Sequence, residues 1–197
     1  MKKKILIPVF VVLFLAVAAG GFFWWWQGRE IKGSPEDYII KETSEGTIVE
    51  NKRAGLTVKV PEGWDTKKSE IREGSILIDT IDIEGKKWNE IVAPPLIKGC
   101  GTEISVVYKK MNFEEIKEKV KVLHWGLRIK SEEFEIVTIN GWQSLKNNFE
   151  SETLGSVMSI YIPIKNKLYD FDLYWGPDEK ERCFQEFNKF LETVSIK

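Results

Sequence analysis

Residues 134–175 read FEIVTINGWQSLKNNFESETLGSVMSIYIPIKNKLYDFDLYW. Asn140-Gly141 between two apolar-rich runs is the strongest short hairpin signal in the chain, so Phe134–Ile139 and Trp142–Glu150 read as antiparallel neighbours. Gly155–Ile164 leads to a turn at Lys165-Asn166-Lys167, and Leu168–Trp175 returns. In that last run Tyr169, Phe171, Leu173 and Trp175 share one face, against Asp170, Asp172 and Tyr174 on the other. Pro163 near a strand end suits an edge or a bulge.

Outward from this meander, Gly176-Pro177 reads as a helix opening, with Pro177 at its first position and Asp178 and Glu179 where the helix dipole favours acids. Phe184, Phe187, Phe190 and Leu191 supply its apolar stripe. Upstream, Asn112 with Glu115 three residues on is a capping-box pattern. Phe113, Ile116, Val120 and Leu123 follow at helical spacing, with a stop at Gly126. Leu56–Val60, Ser75–Glu84 and Glu103–Lys109 alternate as strands, the first ending at Pro61-Glu62-Gly63. Trp88–Cys100, with Pro94-Pro95 and Gly99-Cys100-Gly101, reads mostly as loop. The expected fold is α+β, a mostly antiparallel sheet with helices packed on it, and not a doubly wound parallel sheet.

Leu56–Trp64 (LTVKVPEGW) resembles the opening strand and Pro-x-Gly-Trp turn of the PsbP/Mog1-like family. Ile139–Phe149 (INGWQSLKNNF), Val157–Leu173 (VMSIYIPIKNKLYDFDL) and Cys183–Ile196 (CFQEFNKFLETVSI) are similar to that family's second half. The resemblance covers residues 54–197 and implies an antiparallel sheet with helices on both faces, an α/β/α sandwich. The family includes extrinsic photosystem subunits, a Ran-binding import factor and small bacterial surface proteins. Its members share no catalytic residues, so the resemblance implies binding, assembly or scaffolding.

Ile5–Trp26 (ILIPVFVVLFLAVAAGGFFWWW) carries no charge. As a helix it would reach roughly 33 Å, enough for a hydrocarbon core of about 30 Å. Trp24–Trp26 fall where an interfacial aromatic belt belongs, and Lys2–Lys4 favour a cytoplasmic N-terminus. A cleaved signal peptide is the competing reading, with Ala16-Val17-Ala18 as its small-residue site. Cleavage there would leave Phe22–Trp26, five consecutive aromatics, in water. The expectation is an uncleaved single-pass anchor over residues 1–26 in the cell membrane, with the domain extracytoplasmic. No cysteine follows as a lipid attachment site. Residues 27–53, polar and broken by Gly33-Ser34-Pro35 and Ser44-Glu45-Gly46, read as a stalk with one strand at Gly46–Val49. The domain follows over residues 54–197.

Removing the three N-terminal lysines from 29 bases leaves 26 against 30 acids, a mild excess that gives no reason to expect nucleic acid as a partner. His124 is the one histidine, placed at a helix end where an imidazole needs no further purpose. No nucleophile elbow, zinc-helix, phosphate-loop or dinucleotide motif occurs. No catalytic, metal or cofactor residue is therefore assigned. Asp170 and Asp172 on one strand face, with Asp79, Asp82 and Glu84 in reach, are the remaining acids, and a solvated sheet face is their expected setting.

Outside the cytoplasm an even cysteine count favours pairing. Cys100 in its Gly-Cys-Gly loop and Cys183 on the last helix are expected to form a disulfide. The alternative is a buried Cys183 and a separate loop thiol at Cys100. Trp64, Trp88 and Trp125 lie in turns or at a helix end and are the candidate partner contacts, with Lys86–Gly101 the first loop to suspect. The expected function is a membrane-anchored, non-enzymatic binding or assembly module with a protein partner outside the cytoplasm. The alternatives are a carboxylate-dependent hydrolase and a structural spacer at the cell surface.

Overall fold

A computed structural model describes residues 31–69, 74–85, 96–152 and 154–197. The chain divides into two units, Met1–Ile31 and Lys32–Lys197. Only Ile31 of the first is described, so the expected anchor lies outside the described residues. Among the described residues no helix is long and apolar enough to cross a membrane.

In chain order the strands are β1 (Ile31–Lys32), β2 (Tyr38–Thr43), β3 (Gly46–Asn51), β4 (Leu56–Lys59), β5 (Trp64–Lys68), β6 (Ser75–Thr80), β7 (Glu84–Gly85), β8 (Leu96–Lys98) and β9 (Cys100–Tyr108). Helix α1 (Phe113–His124) comes next. It is followed by β10 (Ile129–Ile139), β11 (Trp142–Ser151), β12 (Gly155–Ile164), β13 (Lys167–Trp175), helix α2 (Lys180–Glu192) and β14 (Ser195–Ile196). The central sheet runs β10-β11-β12-β13-β9-β6-β5, each neighbour antiparallel to the next. A second antiparallel sheet runs β14-β4-β3-β2, and β7 pairs with β8.

Alternation gives the central sheet two unlike faces. Ile76, Ile78, Ile104, Val106, Ile160, Phe171 and Leu173 form one face, buried under Val49, Leu56 and Val58 of the second sheet and Cys183, Phe187 and Phe190 of α2. On the other face Val107, Leu145, Tyr161 and Leu168 pack against Ile116 and Val120 of α1. The α+β class and the helix on each face are as expected. The second sheet, which shares a face with α2, was not.

That sheet corrects the stalk. Residues 38–51, read as stalk with a strand only at Gly46–Val49, form β2 and β3, and Tyr38, Val49 and Asn51 are buried. The Tyr38 hydroxyl donates to Ile104 O at 3.2 Å, tying β2 to the central sheet. Behind it, the Tyr169 hydroxyl donates to Ala54 O at 2.6 Å, and burial pushes that phenol up to about 12. The last helix also starts later than Pro177. A Cβ on Gly176 would lie 2.8 Å from Ile97 O, and its N–H donates to Gly99 O at 3.1 Å. The chain is held against β8 there and turns helical only at Lys180.

Asn140 and Gly141 sit at φ +48° and +83°, the pair of positive values a type I′ hairpin needs. The Asn140 amide also donates to the carbonyls of Leu191 and Val194, at 2.8 and 3.0 Å, tying the hairpin to the end of α2 and the residues that follow it. Asn140→Gly keeps the turn and loses those bonds, so it is expected to cost about 1–2 kcal/mol. Asn140→Ala should cost more, because it also strains the turn. Thermal unfolding of the three chains checks the order.

Candidate functional site

Three places hold the residues singled out from the sequence. The first is the α1-side face of the central sheet, away from α1. Glu103 stands opposite Asp172, Asp172 opposite Ser159, and Ser159 opposite Asn147, a polar row across four strands. Asp170 lies opposite Ser105 in the next row. These acids are buried, which corrects the expected solvated face: strand phase fixes which side a residue takes, not whether that side is covered. Ser75 Oγ donates to Glu103 Oε1, and Ser159 Oγ donates to Asp172 Oδ1. Asp82 and Glu84 do not join the row. Asp82 faces Lys98 and Arg182 at 3.5 and 3.6 Å, and Glu84 pairs in β7.

Beside this row is a cavity of about 150 Å³ walled by Leu77, Asp79, Gly101, Glu103, Tyr174 and Trp175. A Cβ on Gly101 would come within 2.7 Å of Asp79 Oδ1, so the glycine makes room for that carboxylate. Ligand sites usually begin near 300 Å³, so this space admits only a small fragment. Burial raises the Asp79 carboxyl above its ordinary 3.8, against the pull of Lys67, whose ammonium lies 3.1 Å away. A raised carboxyl contributes stability below its unfolded value and loses it as pH rises through the folded one. Asp79→Asn is expected to remove that loss. Its melting temperature relative to the parent chain should rise as pH climbs from below the ordinary carboxylate range to above it, and an unchanged difference would refute the assignment.

The second place is the junction of β9 and α2. Cys100 and Cys183 form a disulfide with a Cα–Cα distance of 5.5 Å. Cys100 is not in a loop, as expected, but opens β9 and is buried with its partner. Trp64 is 8% exposed, and its indole N–H donates to Glu186 Oε2 at 2.8 Å. It is core packing against α2, not a partner contact. Trp88, with most of the loop suspected around it, lies outside the described residues.

The third place is the C-terminal end of α1. Asn112 Oδ1 accepts from Glu115 N at 2.9 Å, and Asn112 N donates to Glu115 Oε2 at 2.8 Å, closing the capping box read from sequence. Ile116 and Val120 face the sheet. The next position on that face, four residues on, is His124, and not the Leu123 expected in the stripe. His124 Nδ1 lies 2.7 Å from Glu132 Oε1, and its ring centroid is 4.1 Å from that of Phe149. The histidine thus seats the helix end. Val122 and Leu123 turn outward, 73% and 60% exposed. Trp125 leaves the helix with an extended ψ of 116° and is 90% exposed. Gly126 at φ +99° and Arg128 at φ +50° then turn the chain into β10.

No family model matches the chain, and no curated protein matches it by sequence. Among solved structures it is similar to PsbP (CyanoP) from Synechocystis sp. PCC 6803, at 10% identity over 81% of this chain and 92% of that one, with a TM-score of 0.47. It is also similar to LpqN of Mycobacterium tuberculosis, a protein involved in cell envelope biogenesis, at 14% identity over 72% and 83% of the two chains and a TM-score of 0.47. A protein from Bacteroides thetaiotaomicron VPI-5482 matches at 13% identity over 87% of this chain, with a TM-score of 0.46. The chain spans about half the length of that protein, 49%. The structural neighbours thus include PsbP-like proteins of the kind the sequence motifs resemble.

Proposed function

We propose that this chain is a membrane-anchored, extracytoplasmic binding or assembly module that acts without catalysis and engages a protein partner through the tip of α1. The observation that supports this reading is Trp125, 90% exposed beside the exposed Val122 and Leu123. Tryptophan is one of the side chains enriched at the energetic centre of interfaces, and here the helix's own packing is completed by Ile116, Val120 and His124 without it. The hydrolase alternative draws on Asp79 and Glu103 sharing one cavity. Lys67 and Ser75 already hold those two carboxylates. A plain spacer leaves the exposed indole without a purpose.

The test is photocrosslinking in intact cells, with a benzophenone residue replacing Leu123 and, as control, the exposed Glu181 of α2. A discrete protein adduct at position 123, absent at 181 and lost in Trp125→Ala, is expected. Equal labelling at both positions sinks the docking site. Protease treatment of sealed vesicles decides the topology: the domain should be cut in right-side-out vesicles and protected in inside-out ones.

A further inference from the structure

We infer that the space beside Asp79 is a binding site for a small organic cation, a primary ammonium on an apolar body of about four to six carbons. The site shares no residue with the α1 tip, and neither depends on the other.

Its origin is a gap in the side-chain rows of the central sheet. Asp65, Asp79, Gly101 and Tyr174 stand opposite one another across β5, β6, β9 and β13. Two residues along, Lys67, Leu77, Glu103 and Asp172 form the next row on the same face, as strand alternation requires. Gly101 alone in these rows has no side chain, so the first row is open between Asp79 and Tyr174. The cavity of about 150 Å³ lies there, and Ile83 and Leu96 join Leu77 and Trp175 among its apolar walls. An apolar space of that size holds a single benzene ring, which sets the bulk of the body. Asp79 and Ile83 also line a second space, of about 410 Å³, so the carboxylate stands between the two.

Asp79 supplies the recognition of charge. It is 5% exposed, and its Oδ2 pairs with Lys67, whose side chain is 61% exposed. Oδ1 is the oxygen for which Gly101 leaves room, and among the described residues no donor reaches it. A buried carboxylate balanced only by a solvated lysine is partly compensated. Burial works against its charge, and an ammonium brought into the space offsets that through charge-assisted hydrogen bonds. An anion would instead meet two carboxyl groups, since Glu103 lines the same space. The rings of Tyr174 and Trp175 suit a cation bound to an apolar body.

The test titrates the full purified chain with butylammonium, butanol and butyrate, read from the nuclear magnetic resonance shifts of the Leu77 and Ile83 methyl groups. Butylammonium is expected to move both and to bind about tenfold more tightly than butanol, and butyrate to move neither. Asp79→Asn should erase the preference for the amine. Lys67→Gln should increase it, because the carboxylate loses its other cation. Equal affinity for amine and alcohol, tighter binding of butyrate, or no shift at either methyl overturns the inference. Should Asp79→Asn fail to fold, Lys67→Gln decides alone, and an unchanged preference there also overturns it.

Discussion

Removing the Cys100–Cys183 bridge is expected to cost the domain about 4–5 kcal/mol, from the chain-entropy cost of a closed loop this long. The two cysteines are 83 residues apart, so the bridge restrains nearly half the chain when it unfolds. It joins the first residue of β9, an interior strand of the central sheet, to α2 on the larger core cluster. Cys100→Ala with Cys183→Ala is the suitable variant, because serines would bury hydroxyls in an apolar setting. Urea unfolding of the purified chain, followed by tryptophan fluorescence, should show the midpoint falling and the slope rising, because the unbridged unfolded chain exposes more surface. Since both sulfurs are buried, dithiothreitol should reduce the native chain slowly and the urea-treated chain fast. A loss below about 1 kcal/mol would mean that the unfolded chain is already compact without the bridge.

The features legible in the sequence were those fixed by neighbours along the chain. Asn140-Gly141 sets its hairpin through backbone conformation alone, and Asn112 caps its helix through a residue three positions on. The phase of Tyr169, Phe171 and Leu173 needed only the alternation of a strand. What stayed hidden depends on what comes to lie on top. Lys41 and Glu42 hid β2 in an apparent stalk, where only the Gly46–Val49 part of β3 could be read, although only one side of each strand is needed for packing. Asp170 and Asp172 gave the same signal whether their face was open or covered. Trp64 and Trp125 both follow turns or helix ends in sequence. One is closed over by α2, and the other is left out because His124 takes the last inward position of its helix. Exposure was a property of the assembled layers, so the site could be narrowed to three tryptophans and no further.

Phe171→Ala is expected to cost about 3–5 kcal/mol, as for other buried aromatics truncated in cores. The upper part of that range applies, because the site cannot close over the gap. Phe171 is fully buried and held between Ile160 on β12 and Ile104 on β9, so two hydrogen-bonded ladders fix its backbone. Its ring meets Phe190 edge-on at 6.3 Å, and Phe190 stacks on Phe187 at 5.9 Å; truncation strips contacts from α2 as well as from the sheet. Phe134→Ala on the edge strand β10 removes the same side chain from a half-buried position and should cost about 1 kcal/mol. Domains of this size hold about 5–15 kcal/mol in all. Phe171→Ala in the cysteine-free chain is therefore expected to be substantially unfolded at room temperature, while Phe134→Ala in the same background stays folded. Far-ultraviolet circular dichroism and urea titration of the four chains decide it. Equal costs at positions 171 and 134 would show that the sheet face under α2 is not the principal core.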